Sequence, residues 1–433
     1  MIGAGLAGPV MAKYLSEYGY EVDIFERRSD LRVLNQSAGR SINLALSARG
    51  IKALKDIDVF EKIKSTLLPM QGRMIHDQDG KTHMQLYGQK EDEVIYSVSR
   101  ENLNKVLMDH AENTGKVNFH FDHKLLDVDL NNCELNFENV TIPFNRLLGV
   151  DGSSSIVRKS IEKKTPIKYK KKSLEHGYKE LSIPPNKNGG FMIEKTALHI
   201  WPRGEFMLIA LPNLDGSFTC TLFLPLDGIL SFASIQSKNE ILNFFKSYFP
   251  DALDLIPNLY KEYKDNPLGR LATIYCDKWN YKSTAAILGD AAHAIVPFFG
   301  QGMNASFQDC TVMNSLIKIF NDDWEKIFSE FSSLQVPNGH AIANMAIENY
   351  IEMRDSVNNP HYKERRELEL YLENKFWNKF VPRYSMVSFY EIPYGQVYER
   401  GKIQFNLMDS YIDGDLTKTQ LHKNIENQLK PIR

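Results

Sequence analysis

The sequence predicts an α/β protein with three parts: a Rossmann-like dinucleotide-binding domain, an antiparallel β-sheet domain and a C-terminal helical region. Three observations predict it. A G-x-G-x-x-G word opens the chain, and a helical pattern and a strand ending in an acid follow it. Two later apolar strands end in Asp151-Gly152 and Gly289-Asp290. Strand patterns dominate residues 166–269, and helical patterns dominate from residue 336 onward. The expected division is 1–165 with 270–335, then 166–269, then 336–433, the hairpin at 70–88 serving the second domain's side.

Each element has its own warrant. Gly3, Gly5 and Gly8 supply the glycine word, and Val10, Met11, Tyr14 and Leu15 follow at helical spacing. Tyr20 to Glu26 reads as a strand. Glu26 lies where the dinucleotide fingerprint places a ribose-binding carboxylate. Only Met1 and Ile2 precede Gly3, so the strand that the fingerprint wants before its first glycine is missing, and weak flavin binding and stability are expected to follow. Phe119 to Leu130 and Glu134 to Ile142 read as strands of a small hairpin region. Arg146 to Gly152 is an apolar strand ending in Asp-Gly, with Ser153, Ser154, Ser155 and Arg158 at the turn into a helix. Asp-Gly alone is a turn signal, and the bland turn and a flavoprotein loop both stay open here. Leu198 to Arg203, Phe206 to Leu211 and Ser217 to Leu224 read as an antiparallel sheet with a turn at Asn213-Leu214-Asp215-Gly216. Helices are expected over Lys238 to Tyr248, Pro337 to Ser356 and Lys363 to Phe380.

The most informative stretch is Gly289 to Asn304. A carboxylate at a strand's C-terminal end, Asp290, can accept hydrogen bonds from ribityl hydroxyls. The loop through Pro297 to Gly302 lets backbone approach a flat ring without Cβ clashes. The helix that opens near Met303 and Asn304 offers unpaired N–H groups and a positive dipole end, which suits a reduced flavin. His293, inside this block, is read as a packing or loop-stabilising residue and not as a base.

Composition excludes other classes. Lys plus Arg number 52 and Asp plus Glu 54, for a net charge of −2, so no basic field points to nucleic acid. Lys168 to Lys172 is a short run, read as a solvated strand. The four cysteines, Cys133, Cys220, Cys276 and Cys310, form no C-x-x-C pair, which argues for reduced thiols in a cytoplasmic protein and against a structural metal. No apolar run approaches the roughly 18 residues of a membrane span.

Several longer words resemble one family. They are Gly39 to Ser47, Gly72-Arg73-Met74-Ile75-His76, His199-Ile200-Trp201-Pro202-Arg203, Pro297 to Asn304 and Glu348 to Arg354. Together with the three dinucleotide signals they resemble the FAD-dependent aromatic hydroxylases, and within them the kynurenine 3-monooxygenase family, from Gly3 to about Gly401. The resemblance implies bound FAD, NADPH and dioxygen as co-substrates, and hydroxylation of L-kynurenine through a flavin C4a-hydroperoxide, a step of tryptophan degradation. It implies a member without the membrane anchor of eukaryotic relatives. It further implies that Arg73, Tyr87, Asn349 and Tyr394 meet the substrate's amino-acid end, with Met353 walling the pocket. FAD contacts would come from Gly3, Gly5, Gly8, Glu26, Arg27, Ala45, Arg100, Leu125, Asp290, Pro297, Gly302, Met303 and Asn304. No protein side chain is expected to act as acid, base or nucleophile. Monomer and homodimer stay open. So do two alternatives: an FAD hydroxylase of another aromatic acid, and a flavin-binding protein without turnover. No second G-x-G-x-x-G marks an NADPH site.

The residues speak to the substrate independently. Arginine is the natural partner of a carboxylate, because its planar fork donates two parallel hydrogen bonds. Gly72 to Gly88 reads as a hairpin whose turn is Asp77-Gln78-Asp79-Gly80, with Gly80 left-handed and a three-residue loop. That register sets Arg73 opposite Gln85 and Tyr87 opposite Gln71, with both side chains on one face. A two-residue loop would put them on opposite faces. Without the resemblance, an arginine on a strand is usually a surface residue. Asn349 shares a helix stripe with Ile342, Met345, Ala346 and Met353; a buried amide there needs a partner, from protein or from ligand. Trp201 and Pro202 are read as shaping a domain interface.

Overall fold

The computed structural model describes residues 1–33, 43–356 and 360–432. Residues 39–42 of the Gly39 to Ser47 word lie outside them. The chain divides into two compact units: Met1–Leu68, Tyr96–Leu174 and Leu271–Ala346 form the first, and Pro69–Ile95, Glu175–Arg270 and Ile347–Arg433 the second.

In the first unit, strand Val22–Phe25 pairs in parallel with Val117–His120, and Leu147–Gly149 pairs in parallel with Ala285–Ile287. Ile2 bridges these two pairs, in parallel with both Phe25 and Gly149. Four backbone hydrogen bonds hold it there: Ile2 N to Leu148 O, Gly3 N to Phe25 O, Phe25 N to Met1 O and Val150 N to Ile2 O, all 2.9–3.0 Å. Two residues therefore fill the central slot that the fingerprint assigns to its first strand. Helix Ala7–Glu17 follows at once and buries Val10, Met11, Tyr14 and Leu15, the stripe expected from their spacing. The segment 119–130 is not one strand. Val117–His120 ends early, and Asp127–Asp129 instead pairs antiparallel with Glu134–Asn136. The break falls at Asp122, whose φ of 59° turns the chain out of extended geometry.

The second unit is built on a seven-stranded sheet. Ala197–Pro202, Met207–Pro212 and Phe218–Pro225 pair antiparallel, as their alternation predicts. The hairpin Gly72–His76 and Thr82–Leu86 extends this sheet at one edge, and Gly72–His76 runs parallel to Ala197–Pro202. The sheet is therefore mixed, not purely antiparallel, because the added hairpin comes from a distant stretch of chain. Helix Lys238–Tyr248 has the bounds its pattern predicts, and a capping box between Ser237 and Glu240 fixes its start. Trp201, read as shaping a domain interface, is fully buried in this unit's own core, donating to Asp251 Oδ2 at 2.7 Å and stacked on His76. The C-terminal helices Pro360–Lys375, Tyr394–Ile412 and Lys418–Gln428 share a small core of Leu372, Phe376, Leu407, Met408, Leu421 and Ile425.

One helix is longer than its pattern. Trp324–Ile351 runs through Pro337, where the sequence reading began it. An internal proline costs about 3 kcal/mol. Ile327, Phe328 and Phe331, all fully buried before it, offset that cost. The helix then ends in a π-helical turn, Glu352–Ser356, which takes Met353 out of the regular helix.

Candidate active site

The cofactor half lies in the first unit and is made largely of backbone. Gly3 has φ +107°, and a Cβ there would meet Val150 O at 2.5 Å. A Cβ on Gly8 would meet Gly3 O at 2.3 Å. These two glycines are required by the protein's own packing. Gly5 is different: a Cβ there would meet nothing within 4 Å. The backbone at Gly5 faces open space at the start of helix Ala7–Glu17, whose N-cap residue Leu6 makes no side-chain cap. Free N–H groups around an open glycine are what a pyrophosphate requires.

Glu26 closes the strand Val22–Phe25 and is buried. Its Oε2 accepts from Ala4 N at 2.9 Å, which ties the acid to the glycine loop. Its Oε1 accepts from Arg28 N at 3.1 Å and Arg28 Nε at 2.8 Å. Burial pushes the Glu26 carboxyl up, but the hydrogen bonds from Arg28 and Ala4 outweigh it and hold the pKa below the ordinary value. Arg27, proposed from the sequence, is exposed; Arg28 is the arginine that meets Glu26. Arg100 is also exposed, at the first position of helix Arg100–Glu112, and Leu125 is buried in the loop before Asp127–Asp129.

The Gly289 loop is held from behind. Gly289 adopts φ +60° and Asp290 points outward, exposed at the end of strand Ala285–Ile287. Asp309, on helix Gly302–Phe320, accepts from Gly289 N at 2.8 Å and from His293 Nε2 at 2.6 Å on one oxygen, and from Gln335 Nε2 at 2.7 Å on the other. His293 is buried and stacked on Trp279. It stabilises the loop, as read from the sequence. Asp309 was missed, because a lone acid within a helix gives no local signal. Arg158 joins this loop to the one after Asp151-Gly152: its guanidinium donates to Ser153 O at 2.8 Å and to Ala291 O at 2.5 Å. Asp151 caps the next helix through Ile156 N at 2.7 Å, and its second oxygen finds no protein donor. Pro297 is exposed, with Phe298 and Phe299 buried beside it.

Asn304 is fully buried, and its amide is committed inside the protein. Oδ1 accepts from Ser47 N at 3.0 Å, while Nδ2 donates to Ala45 O at 2.8 Å and Gly300 O at 2.9 Å. Its side chain fastens the Ala45 segment to the start of helix Gly302–Phe320. That helix also lacks a side-chain cap, and Gly302 again faces open space. What Gly302, Met303 and Asn304 can offer a flavin is their backbone N–H groups. The open glycines, uncapped helix starts, outward Asp290 and unsatisfied Asp151 oxygen fit FAD.

The substrate half lies in the second unit and is made of side chains. The hairpin register is the one the three-residue loop predicts, Arg73 opposite Gln85, with Gly80 at φ +79°. Tyr87 N donates to Gln71 O at 3.0 Å, so Arg73 and Tyr87 share a face. Arg73 is 8% exposed. Its guanidinium lies 4.8 Å from the centre of Tyr384 and 5.9 Å from that of Tyr87, and the two rings are stacked at 4.9 Å. Its NH2 reaches Asn349 Oδ1 at 3.5 Å, and Asn349 Nδ2 contacts Met353 Sδ at 3.2 Å. Among the described residues, Arg73 Nε has no acceptor. Burial lowers the pKa of this cation, but Tyr384, Tyr362, Tyr87 and Glu352 raise it above the ordinary arginine value, and of these only Glu352 is a carboxylate. That carboxylate stands 3.9 Å away. The structure thus brings Arg73, Tyr87, Asn349 and Met353 together. Tyr394 is buried at the first position of helix Tyr394–Ile412; the ring over Arg73 is that of Tyr384. Tyr384, Tyr362 and Glu352 went unread, although Glu352 lies three residues past Asn349 on the same helix face.

The sequence model of the FAD binding domain family matches residues 1–184. Among solved structures, 2-methyl-3-hydroxypyridine-5-carboxylic acid oxygenase superposes with a TM-score of 0.66 at 18% identity, over 84% of this chain and 94% of that one. A tetracycline destructase superposes with a TM-score of 0.61 at 18% identity, over 89% and 96%. The fold is that of the FAD-binding monooxygenases. The kynurenine 3-monooxygenase of Myxococcus xanthus is 43% identical over 420 residues, covering 96% of this chain and 90% of that protein. The kynurenine 3-monooxygenase of Flavobacterium johnsoniae is 41% identical over 433 residues, covering 99% and 94%. The chain belongs to the kynurenine 3-monooxygenase family.

Proposed function

We propose that the protein hydroxylates L-kynurenine to 3-hydroxy-L-kynurenine, with FAD as bound cofactor and NADPH and dioxygen as co-substrates. Beyond family membership, the observation that carries the reading is Arg73: a buried guanidinium that, among the described residues, has no acceptor on Nε and no carboxylate closer than 3.9 Å. A desolvated cation with unused donors attracts a carboxylate, and the fork geometry of arginine fixes that carboxylate's plane.

FAD, when bound, supplies the redox and oxygen-transfer chemistry. The chain's residues bind and orient. Gly5 and the two uncapped helix starts receive the phosphates and the ring edge, Glu26 takes ribose hydroxyls and Asp290 takes ribityl hydroxyls. Arg73 holds the substrate carboxylate, Tyr87 and Tyr384 keep that cation in place and exclude water, and Asn349 offers its amide. Fixing one end of the substrate aims the ring at the other, where a small misplacement is costly. The aniline nitrogen activates its own ortho carbon, so no protein base is required. A cytoplasmic location belongs to the same reading and is supported by four cysteines that are all free thiols.

The test is NADPH consumption by FAD-supplemented protein with and without L-kynurenine, with the product identified by mass. Stimulation with a product one oxygen heavier is the expected result. A flavin-loaded protein that ignores L-kynurenine would refute the substrate.

A further inference from the structure

The substrate site accounts for only part of two sequence words, Gly72 to His76 and His199 to Arg203. Arg73 serves it, and the others turn away. Residues three apart on a strand point to opposite faces, so His76 lies on the face away from Arg73. The parallel register pairs Leu198 with Arg73 and His199 with Met74, which sets His199 and Trp201 on the His76 face. Four side chains meet there. His199 Nε2 lies 2.7 Å from Glu194 O, His199 Nδ1 lies 2.8 Å from His76 Nε2, and His76 Nδ1 lies 2.7 Å from Asp251 Oδ2. Trp201 donates to the same Asp251 oxygen at 2.7 Å and stacks on the His76 ring at 3.9 Å. Both histidines are buried. Arg203 holds the same end of the strand, donating to His76 O at 2.9 Å and to Asp77 O at 3.2 Å.

These hydrogen bonds fix the number of protons held here. A carbonyl only accepts, so Glu194 O requires a proton on His199 Nε2. A second proton must lie between the two rings, and a carboxylate facing His76 Nδ1 requires a third. Two neutral imidazoles carry only two ring protons, so the histidine pair is a single cation. Asp251 is the anion that balances it: burial raises its pKa, but the hydrogen bonds from His76 and Trp201 outweigh burial and hold it below the ordinary value. Burial holds the His199 pKa down to about 4, which leaves the charge on His76. Arg203, the other cation at this end of the strand, is committed to main-chain oxygens, and Asp77 lies past the strand beside His83. A buried ion pair adds little stability over apolar packing of the same size; what it can supply is a single fixed geometry. Strand Gly72–His76 needs one, because it lies one place in from the edge of its sheet and its outer neighbour, Thr82–Leu86, is the edge strand itself. We propose that His76, as an imidazolium held between Asp251 and His199, is a positioning residue for Arg73: it fixes the strand that presents the guanidinium to the substrate carboxylate. This rests on the reading of Arg73 as the carboxylate's partner in an L-kynurenine site.

The test measures kcat and KM for L-kynurenine, with FAD content, in Asp251→Asn and His76→Gln, each alone and combined with Arg73→Ala. Asp251→Asn keeps the shape and removes the charge, so it is the milder of the two. Each alone should raise KM by on the order of 10-fold, with kcat within about threefold and FAD content unchanged, because a displaced carboxylate partner weakens binding first. In the Arg73→Ala background the same substitutions should change kcat/KM by less than about twofold, since effects that pass through one contact do not add. General damage to the fold would add in full. Nitrogen NMR of the histidine-labelled wild type, under the assay conditions, should show both ring nitrogens of His76 protonated, with the signals lost in His76→Gln. A wild-type KM in both variants, equal losses with and without Arg73, or a neutral His76 ring would overturn the assignment while the kynurenine reading stands. If the wild type itself ignores L-kynurenine, the kynurenine reading falls and this inference with it.

Discussion

The cofactor half and the substrate half are built from different materials. Backbone makes the first: open glycines at Gly5 and Gly302, two helix starts without side-chain caps, and a Gly289 turn braced from behind by Asp309. Side chains make the second: Arg73, Tyr87, Asn349, Glu352, Tyr362 and Tyr384, drawn from four separated stretches of chain. A backbone site tolerates little at its glycines and much elsewhere. A side-chain site can lose one member and keep its fold. The cofactor half should therefore fail as a whole, and the substrate half residue by residue.

The sharpest way to break this contrast is at the glycines, where the largest effect is expected. Gly5→Val puts a side chain into space that the protein leaves open, so the apoprotein should fold and melt as the wild type does while purifying without yellow colour. Gly8→Ala should behave differently, since its Cβ meets Gly3 O at 2.3 Å and the fold itself must give way. Absorbance at the flavin band and a melting curve separate the two. A yellow Gly5→Val protein would remove that position from the cofactor site.

On the substrate side, Arg73→Ala should retain FAD and its melting temperature. It should lose about 2–4 kcal/mol of transition-state binding, roughly 30- to 1,000-fold in kcat/KM, chiefly through KM. Arg73→Lys keeps the charge and loses the planar fork, and should recover only part of this. Unchanged kinetics in Arg73→Ala would exclude Arg73 from the site.

The same difference in material explains what could be read from the sequence. Glycine spacing, a terminal acid and Gly-Asp after an apolar strand are local words, because a backbone site is written in consecutive residues. The hairpin register was legible too: Asp77 and Gly80 fix the turn, and the turn fixes which face Arg73 takes. What escaped depends on tertiary meeting. Asp309 is unremarkable in a helical pattern, yet it braces the Gly289 turn and His293 from behind; Arg158 was named with its turn, but not the bond to Ala291 O that ties that turn to the Gly289 block. Tyr384 reaches Arg73 from nearly the other end of the chain. Arg27 and Arg28 differ by one position just after a strand, where alternation no longer says which side chain turns toward Glu26; Arg28 is the one that does. Asn304 is an FAD contact by the resemblance, and its side-chain amide is taken up by Ser47, Ala45 and Gly300, a commitment that only the folded chain displays.

A moderate effect should appear with pH, again on the cofactor side alone. Burial lowers the pKa of His293, but Asp309, at 2.6 Å, and Asp290 raise it further, to a net value above the ordinary one. A proton held more tightly in the folded protein than in the unfolded chain stabilises the fold fully below the unfolded pKa of about 6.5. That contribution is lost as pH rises through the folded value. Melting temperature and flavin retention should therefore fall together as pH rises above about 6.5, and His293→Gln should flatten the decline. A wild-type decline that survives unchanged in His293→Gln would place its origin elsewhere.

The smallest effect is expected at Arg28. Its side chain is 61% exposed, and its pairing with Glu26 is screened by water. Exposed pairs of this kind contribute about 0–1 kcal/mol, so Arg28→Ala should weaken FAD binding by no more than about fivefold. Glu26 itself is buried and also receives Ala4 N, so Glu26→Ala removes the brace of the glycine loop as well as the ribose acceptor. It should cost far more than its exposed partner. Titrating FAD into both apoproteins by flavin fluorescence measures the difference. Equal losses would mean that Glu26 acts only through Arg28, and the cofactor half would then depend on a surface side chain more than its backbone construction implies.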